Sequence, residues 1–395
     1  MLKKIYHMKT ITIKKHNAFL IIYILLSFSV YLGVSDNLIQ QGSYYSSKDL
    51  FADVAAVEGN VGLKIWADSA FYTTVSKEYD LKEIALVFAI HPNTVGPFII
   101  LKMFNSSELL IYILNVIIFL FSVSVLIKYY PVNKYKFVML LCISPMLLSS
   151  LLAINKEIFA MLSMSMFLVY LKNKNPMFLI VCVLSAFLTR WEMVFVVIVL
   201  LISFSKYNFL RNKRAIMIAI CLVSISMIFP FFLDNIFAHT YVRTMEAINT
   251  YEGGGTGLYT IWLKLQTNYC YFLAFIPKTI HALIGAVASL NINNIINKVG
   301  LYHSLISVSQ SFVYLFLLIQ IIIRKKINID NDIFFIAVIF CIFINLSFIV
   351  ALRYLFPLHL LLALLLSTRN LKKHMLSQTK VITPHCVSDR ISALP

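Results

Sequence analysis

Apolar runs long enough to become membrane helices recur along this chain, and short loops filled with lysine and arginine separate many of them. A helix needs about 20 apolar residues, roughly 17–25, to cross the hydrocarbon of a bilayer. Candidate runs lie at 18–35, 107–127, 137–154, 157–171, 176–189, 191–205, 215–233, 304–323, 333–352 and 354–368. Backbone amides and carbonyls find no water inside a bilayer, so each run is predicted to be helical. The sequence therefore predicts an all-α, polytopic membrane helix bundle of about ten transmembrane helices. Composition points the same way, with 60% hydrophobic and 13% charged residues. Soluble domains carry about half and a quarter.

The formal charge of +17 raises nucleic acid as a partner, and its distribution argues against it. Segments 1–17, 128–136, 172–175, 206–214, 324–332 and 369–395 hold 22 of the 34 Lys and Arg but only three of the 17 acids. Basic patches confined to alternate loops are the orientation signal of a membrane protein. They predict that these loops, and both termini, face the cytoplasm. Lysines at 3, 4, 9, 14 and 15 precede the apolar Ala18–Val34 stretch, which no small-x-small cleavage site follows. It reads as an uncleaved first helix.

The layout predicts one membrane domain over residues 1–376 and a disordered cytoplasmic tail over 377–395. Two outer loops are too long to be connectors, 35–106 and 234–303, and long structured loops usually carry function. The end of the first, Ile84–Phe104, is apolar but broken at His91-Pro92 and Gly96-Pro97. It is predicted to form re-entrant or interfacial short helices. The second contains Gly253-Gly254-Gly255 and then an amphipathic, aromatic stretch interrupted by Lys264, Lys278 and His281. Interfacial helices or a shallow hairpin suit that pattern.

Cys142, Cys182, Cys221 and Cys341 fall inside apolar runs, and no CxxC or Cys/His spacing suggests a metal. The reading assigns no metal and no cofactor, and leaves any need for a divalent cation open.

Charges at the outer hairpin tips are the more informative residues. They are Lys156-Glu157, Arg190-Trp191-Glu192 and Arg353-Tyr354. Charge inside a membrane costs about 2.5–3.5 kcal/mol at a helix centre and less near the interface. Local ion pairs snorkelling to the headgroups are one account of them. The functional account is an anionic ligand, since a guanidinium grips phosphate through parallel hydrogen bonds. Lys156, Arg190, Arg353 and Tyr354 are then substrate-binding, and Glu157 and Glu192 orient the cations or act as a base. Sugar transfer to a hydroxyl also needs a carboxylate to take the proton. Asp36, directly after the first helix, and Asp68, in the aromatic Trp66–Tyr72 stretch, are candidates beside Glu192. Arg243, separated from Gly254 by ten residues, adds a candidate clamp in a glycine-rich loop.

Two large outer loops, an acid soon after the first helix and Arg353-Tyr354 with Pro357 in the last one resemble the GT-C superfamily of membrane glycosyltransferases. Arg243-x10-Gly254 is similar to an Arg-x10-Gly pattern of O-antigen polymerases of the Wzy type. The resemblance implies a GT-C-like fold in a bacterial inner membrane with two periplasmic loops. It implies an enzyme that joins polyprenyl-pyrophosphate-linked oligosaccharide repeat units at the periplasmic face, with a substrate-binding role for Arg243. The partners it implies are that lipid-linked oligosaccharide, membrane lipids, and a chain-length regulator and flippase of the same pathway. A single-sugar transferase using a polyprenyl-phosphate donor and a glycolipid flippase are the alternatives.

Overall fold

The computed structural model describes residues 14–35, 40–45, 56–61, 67–90, 92–152, 154, 156–232, 258–288, 298–347 and 352–368. These residues are almost entirely helical. Four helices, Lys15–Gly33, Glu108–Tyr129, Arg214–Phe231 and Leu305–Ile323, are long and apolar enough to cross a membrane, and a bent pair makes a fifth. In chain order the helices are α1 (Lys15–Ser35), α2 (Ala67–Glu78), α3 (Ile84–Ile90), α4 (Val95–Met103), α5 (Glu108–Tyr129), α6 (Lys134–Cys142), α7 (Pro145–Leu152) and α8 (Glu157–Asn173). Then come α9 (Pro176–Thr189), α10 (Trp191–Phe204), α11 (Arg214–Phe232), α12 (Leu258–Thr267), α13 (Tyr271–Ala288), α14 (Lys298–Ile323), α15 (Asp332–Ile344) and α16 (Phe356–Ser367).

The helical expectation holds for nearly all of the described residues, and one pair of short strands accompanies the helices. Strands β1 (Gln40–Tyr45) and β2 (Ala56–Val61) pair antiparallel, from Gln40 opposite Val61 to Tyr45 opposite Ala56. Each holds a glycine, and Gly42 lies opposite Gly59. Glycine weakens a helix, while Tyr and Val favour an extended chain.

Burial divides the helices into a centre and a rim. Every residue of α16 is buried, as are most of α8 and α15. Their apolar side chains cover the whole circumference, which suits a helix surrounded by protein. Around them α5, α6, α9, α10 and α14 pack. The rim helices instead leave apolar side chains outside, such as Ile22 and Leu25 on α1, Val223 and Met227 on α11, and Ile319 and Ile322 on α14. Water tolerates no apolar surface of that extent. Lipid does.

The apolar run at 137–154 is not one helix. It breaks after Cys142, and α6 and α7 meet at 72°. Distant residues satisfy polar groups at the break and at the far end of α7. Gln310 of α14 accepts from Ser144 Oγ at 2.7 Å and from the Met146 amide at 3.4 Å, while Asn115 of α5 donates to the Ser150 and Leu151 carbonyls at 3.3 and 3.1 Å.

Basic loops gather at one end of the bundle. Asn173 donates to Tyr129 Oη at 3.4 Å, Val132 bridges to Thr368, and Lys136 Nζ donates to the Leu366 carbonyl at 2.7 Å. Lys326 reaches the Thr368 carbonyl at 3.4 Å. Arg214 donates to Asp332 at 2.6 Å and to the carbonyls of Ile329 and Asp330, and its guanidinium lies over Phe204 and Phe335. Asparagine side chains at 133, 175 and 331 cap the helices that leave this end. Arg214→Ala is expected to cost about 2 kcal/mol, because charged hydrogen bonds are worth roughly 1.5–3 kcal/mol and solvent screens the Asp332 contact. A fall in the melting midpoint of the detergent-purified protein is the readout.

Candidate functional site

The opposite end of the bundle carries the charged hairpin tips, and they meet. Glu157 opens α8, Arg190 separates α9 from α10, and Glu192 lies in the first turn of α10. Leu352–Leu355 forms a short 3-10 turn ahead of α16 and brings in Arg353 and Tyr354. Arg190 Nη2 stands 3.8 Å from Glu157 Oε1. Its Cζ lies 3.2 Å from the centre of the Tyr354 ring, and Glu192 is within its Coulombic reach. Arg353 Nη2 donates to Tyr354 Oη at 3.5 Å, and its Cζ is 5.2 Å from the same ring. Ser347 Oγ donates to Glu192 Oε1 at 3.3 Å.

Lys156 is tied to the first outer loop. Its Nζ donates to the Asn93 carbonyl at 3.3 Å and lies 5.7 Å from the ring centre of Tyr72 on α2. Helix α4 packs on α9 beside this point, and Phe88 of α3 stacks on Phe187. A Cβ built on Gly96 would fall inside the Leu188 backbone, so only glycine allows α4 to sit there.

Burial makes the arrangement chemically pointed. Lys156, Glu157, Arg190 and Glu192 are each 3–5% exposed. With the half-buried Arg353 they set three cations against two carboxylates. Arg190 Nη2 and Glu192 Oε2 are enclosed with no hydrogen-bond partner, the Glu157 contact being too long for one. A buried polar group left unmatched costs about 1–3 kcal/mol, more if charged. The open donor suits an anionic group, and the open carboxylate oxygen suits a hydroxyl that donates to it.

The helices that end at or near the site are short. Helices α8, α9, α10, α15 and α16 run 17, 14, 14, 13 and 12 residues. At about 1.5 Å per residue these cover roughly 18–26 Å, against about 30 Å of hydrocarbon. Helix α4 packs on α9 next to the cluster, and α2 packs on α4.

Of the residues singled out in the sequence, Lys156, Glu157, Arg190, Glu192, Arg353 and Tyr354 come together. Asp36 and Arg243 lie outside the described residues, as does Gly254. Asp68 is in α2, with its side chain outside them. Among the described residues no group of three or more His, Cys, Asp and Glu is arranged for a metal. Sequence reasoning missed Asn93, Gln266 and Ser347, and it named Tyr72 and Lys278 without their contacts to this region. Only Lys278 carried a usable signal, an ammonium in the middle of an apolar helix.

No family model, curated protein or solved structure matches the chain.

Proposed function

We propose that the chain is a bacterial inner-membrane enzyme that joins polyprenyl-pyrophosphate-linked oligosaccharide repeat units at the outer face. The observation that carries this reading is the buried cluster in which Arg190 stands between Glu157 and Tyr354, with Arg353 on the same tyrosine, Lys156 adjoining Glu157 and Glu192 nearby, and with the open donor on Arg190 and the open acceptor on Glu192. Its excess of positive charge suits a pyrophosphate, and its place at the ends of apolar helices suits a headgroup still attached to a lipid. Basic loops gathered at the far end support a cytoplasmic position for that end, so the cluster would open outward. About ten crossings and a GT-C-like fold belong to this proposal.

In the proposed reaction a hydroxyl of the incoming lipid-linked repeat attacks the sugar carbon that bears the pyrophosphate. The carbon–oxygen bond to pyrophosphate breaks as the glycosidic bond forms. Glu192 takes the hydroxyl proton, and the cations hold the charge that builds on the departing pyrophosphate. Glu157, paired with Arg190, serves to aim it.

A second reading, a glycolipid flippase, is favoured by the α6–α7 break and the fully buried Gln310, whose Nε2 lacks a hydrogen-bond partner. Discontinuous helices line the binding sites of many transporters. Deleting the chain separates the readings on a gel of surface glycan. Loss of the ladder down to one repeat per lipid core is expected for a polymerase. Loss of a sugar branch instead marks a single-sugar transferase, and loss of every repeat marks a flippase.

A further inference from the structure

The cluster is fastened from an unexpected direction. Lys278 follows Pro277 in α13 and is fully buried. Its Nζ donates to Gln266 Oε1 at 2.6 Å and to the Ser347 carbonyl at 2.7 Å. Gln266 of α12, also fully buried, donates from Nε2 to the Leu346 carbonyl at 2.8 Å. Two side chains from the second outer segment thus clasp the backbone at Leu346 and Ser347. Ser347 is the residue whose hydroxyl holds Glu192 Oε1.

A cation near a helix C-terminus caps the orphan carbonyls there and needs no other purpose. The contacts here lie elsewhere. Helix α15 ends at Ile344, and its last turn has other partners: Asn345 Nδ2 and its amide donate to the Cys341 carbonyl, and Tyr271 Oη donates to the Ile342 carbonyl. Lys278 and Gln266 reach past the helix and grip the segment that follows it. Since Glu192 Oε2 has no hydrogen-bond partner, the hydrogen bond from Ser347 governs where that open oxygen points.

We propose that Lys278, assisted by Gln266, is a positioning residue for Glu192, acting through Ser347. The inference rests on reading Glu192 as the base of glycan transfer. It gives the second outer segment a defined part in the chemistry: α12 and α13 hold the carboxylate in its working direction without touching substrate. Displacing a reacting group by about an ångström costs on the order of a hundredfold in rate.

The test uses the full chain, expressed at matched abundance in cells lacking the native copy, with the surface-glycan ladder as readout. Glu192→Gln sets the reference and is expected to remove the ladder. Lys278→Met, close in volume and free of charge, and Ser347→Ala are each expected to reduce polymerised glycan by on the order of tenfold or more. Residues acting along one line give non-additive losses. The Lys278→Met/Ser347→Ala pair should therefore be no worse than the weaker single variant, and Lys278→Arg should restore part of the ladder. Multiplying losses, or a normal ladder from Lys278→Met, overturns the positioning role and leaves the functional reading intact. A normal ladder from Glu192→Gln overturns both. If Lys278→Met does not accumulate, Gln266→Leu with Ser347→Ala supplies the same cycle.

Discussion

Arg190→Ala is expected to cut polymerised surface glycan by about 10²–10³-fold, the usual loss when one preorganised donor to developing charge is removed. Single repeats on the lipid core should persist. The size of the effect follows from how the side chain is held. One face of the guanidinium is stacked on Tyr354, Glu157 sits 3.8 Å from Nη2, and Nη2 itself has no hydrogen bond to satisfy it. A desolvated cation–π contact adds about 2 kcal/mol to that grip. Removing one member of a buried ion pair also destabilises by about 3–5 kcal/mol, so loss of protein must be separated from loss of chemistry. Arg190→Met combined with Glu157→Gln removes both charges and should accumulate normally while making no ladder. Arg190→Lys keeps the charge but not the planar fork, and an intermediate ladder is expected. A wild-type ladder from Arg190→Lys and from the double variant would remove this residue from the mechanism.

The second large effect falls on a residue with no functional group. Gly96→Ala is expected to lower both the melting midpoint and the ladder, because the new methyl has nowhere to go. It would meet backbone of Leu188, which cannot swing aside as a side chain can. Overpacking a tight interface costs about 1–3 kcal/mol, and a backbone neighbour puts this position at the upper end. Leu188 lies two residues before Arg190, so pushing α4 away from α9 moves the tip that carries the cation. It also pulls on Lys156, whose partner Asn93 sits just ahead of α4. Thermal denaturation in detergent together with the ladder checks this. Unchanged values for both would mean that α4 does not sit on α9 as described.

Much of the helical content was legible because apolarity is a length signal. Helices α1, α5, α11 and α14 begin and end within a few residues of the apolar runs, and Asn-capped starts at 175 and 331 mark two more. Apolarity did not show the turn inside 137–154, whose local mark is Ser144-Pro145, while Gln310, far away in sequence, accepts the hydrogen bonds there. The hairpin at Gln40–Val61 was hidden for the opposite reason, being polar in a long loop.

The cluster was readable in part because charge is rare in this chain. Lys156, Glu157, Arg190, Glu192 and Arg353 stood out one by one, but their meeting depends on tertiary packing that no local pattern encodes. Lys278 was passed over as an interruption of an interfacial helix, and its contacts with Gln266 and Ser347 are what give it meaning.

Binding of an anionic lipid at the buried cations is the claim on which the proposed function depends. Native mass spectrometry of the detergent-purified chain with undecaprenyl pyrophosphate, alongside undecaprenol, tests it most directly. Retention of the pyrophosphate, little retention of the alcohol, and loss of the difference in the Arg190→Met/Glu157→Gln variant are predicted. Equal retention of both lipids by the native chain, or an undiminished preference in the variant, would contradict it.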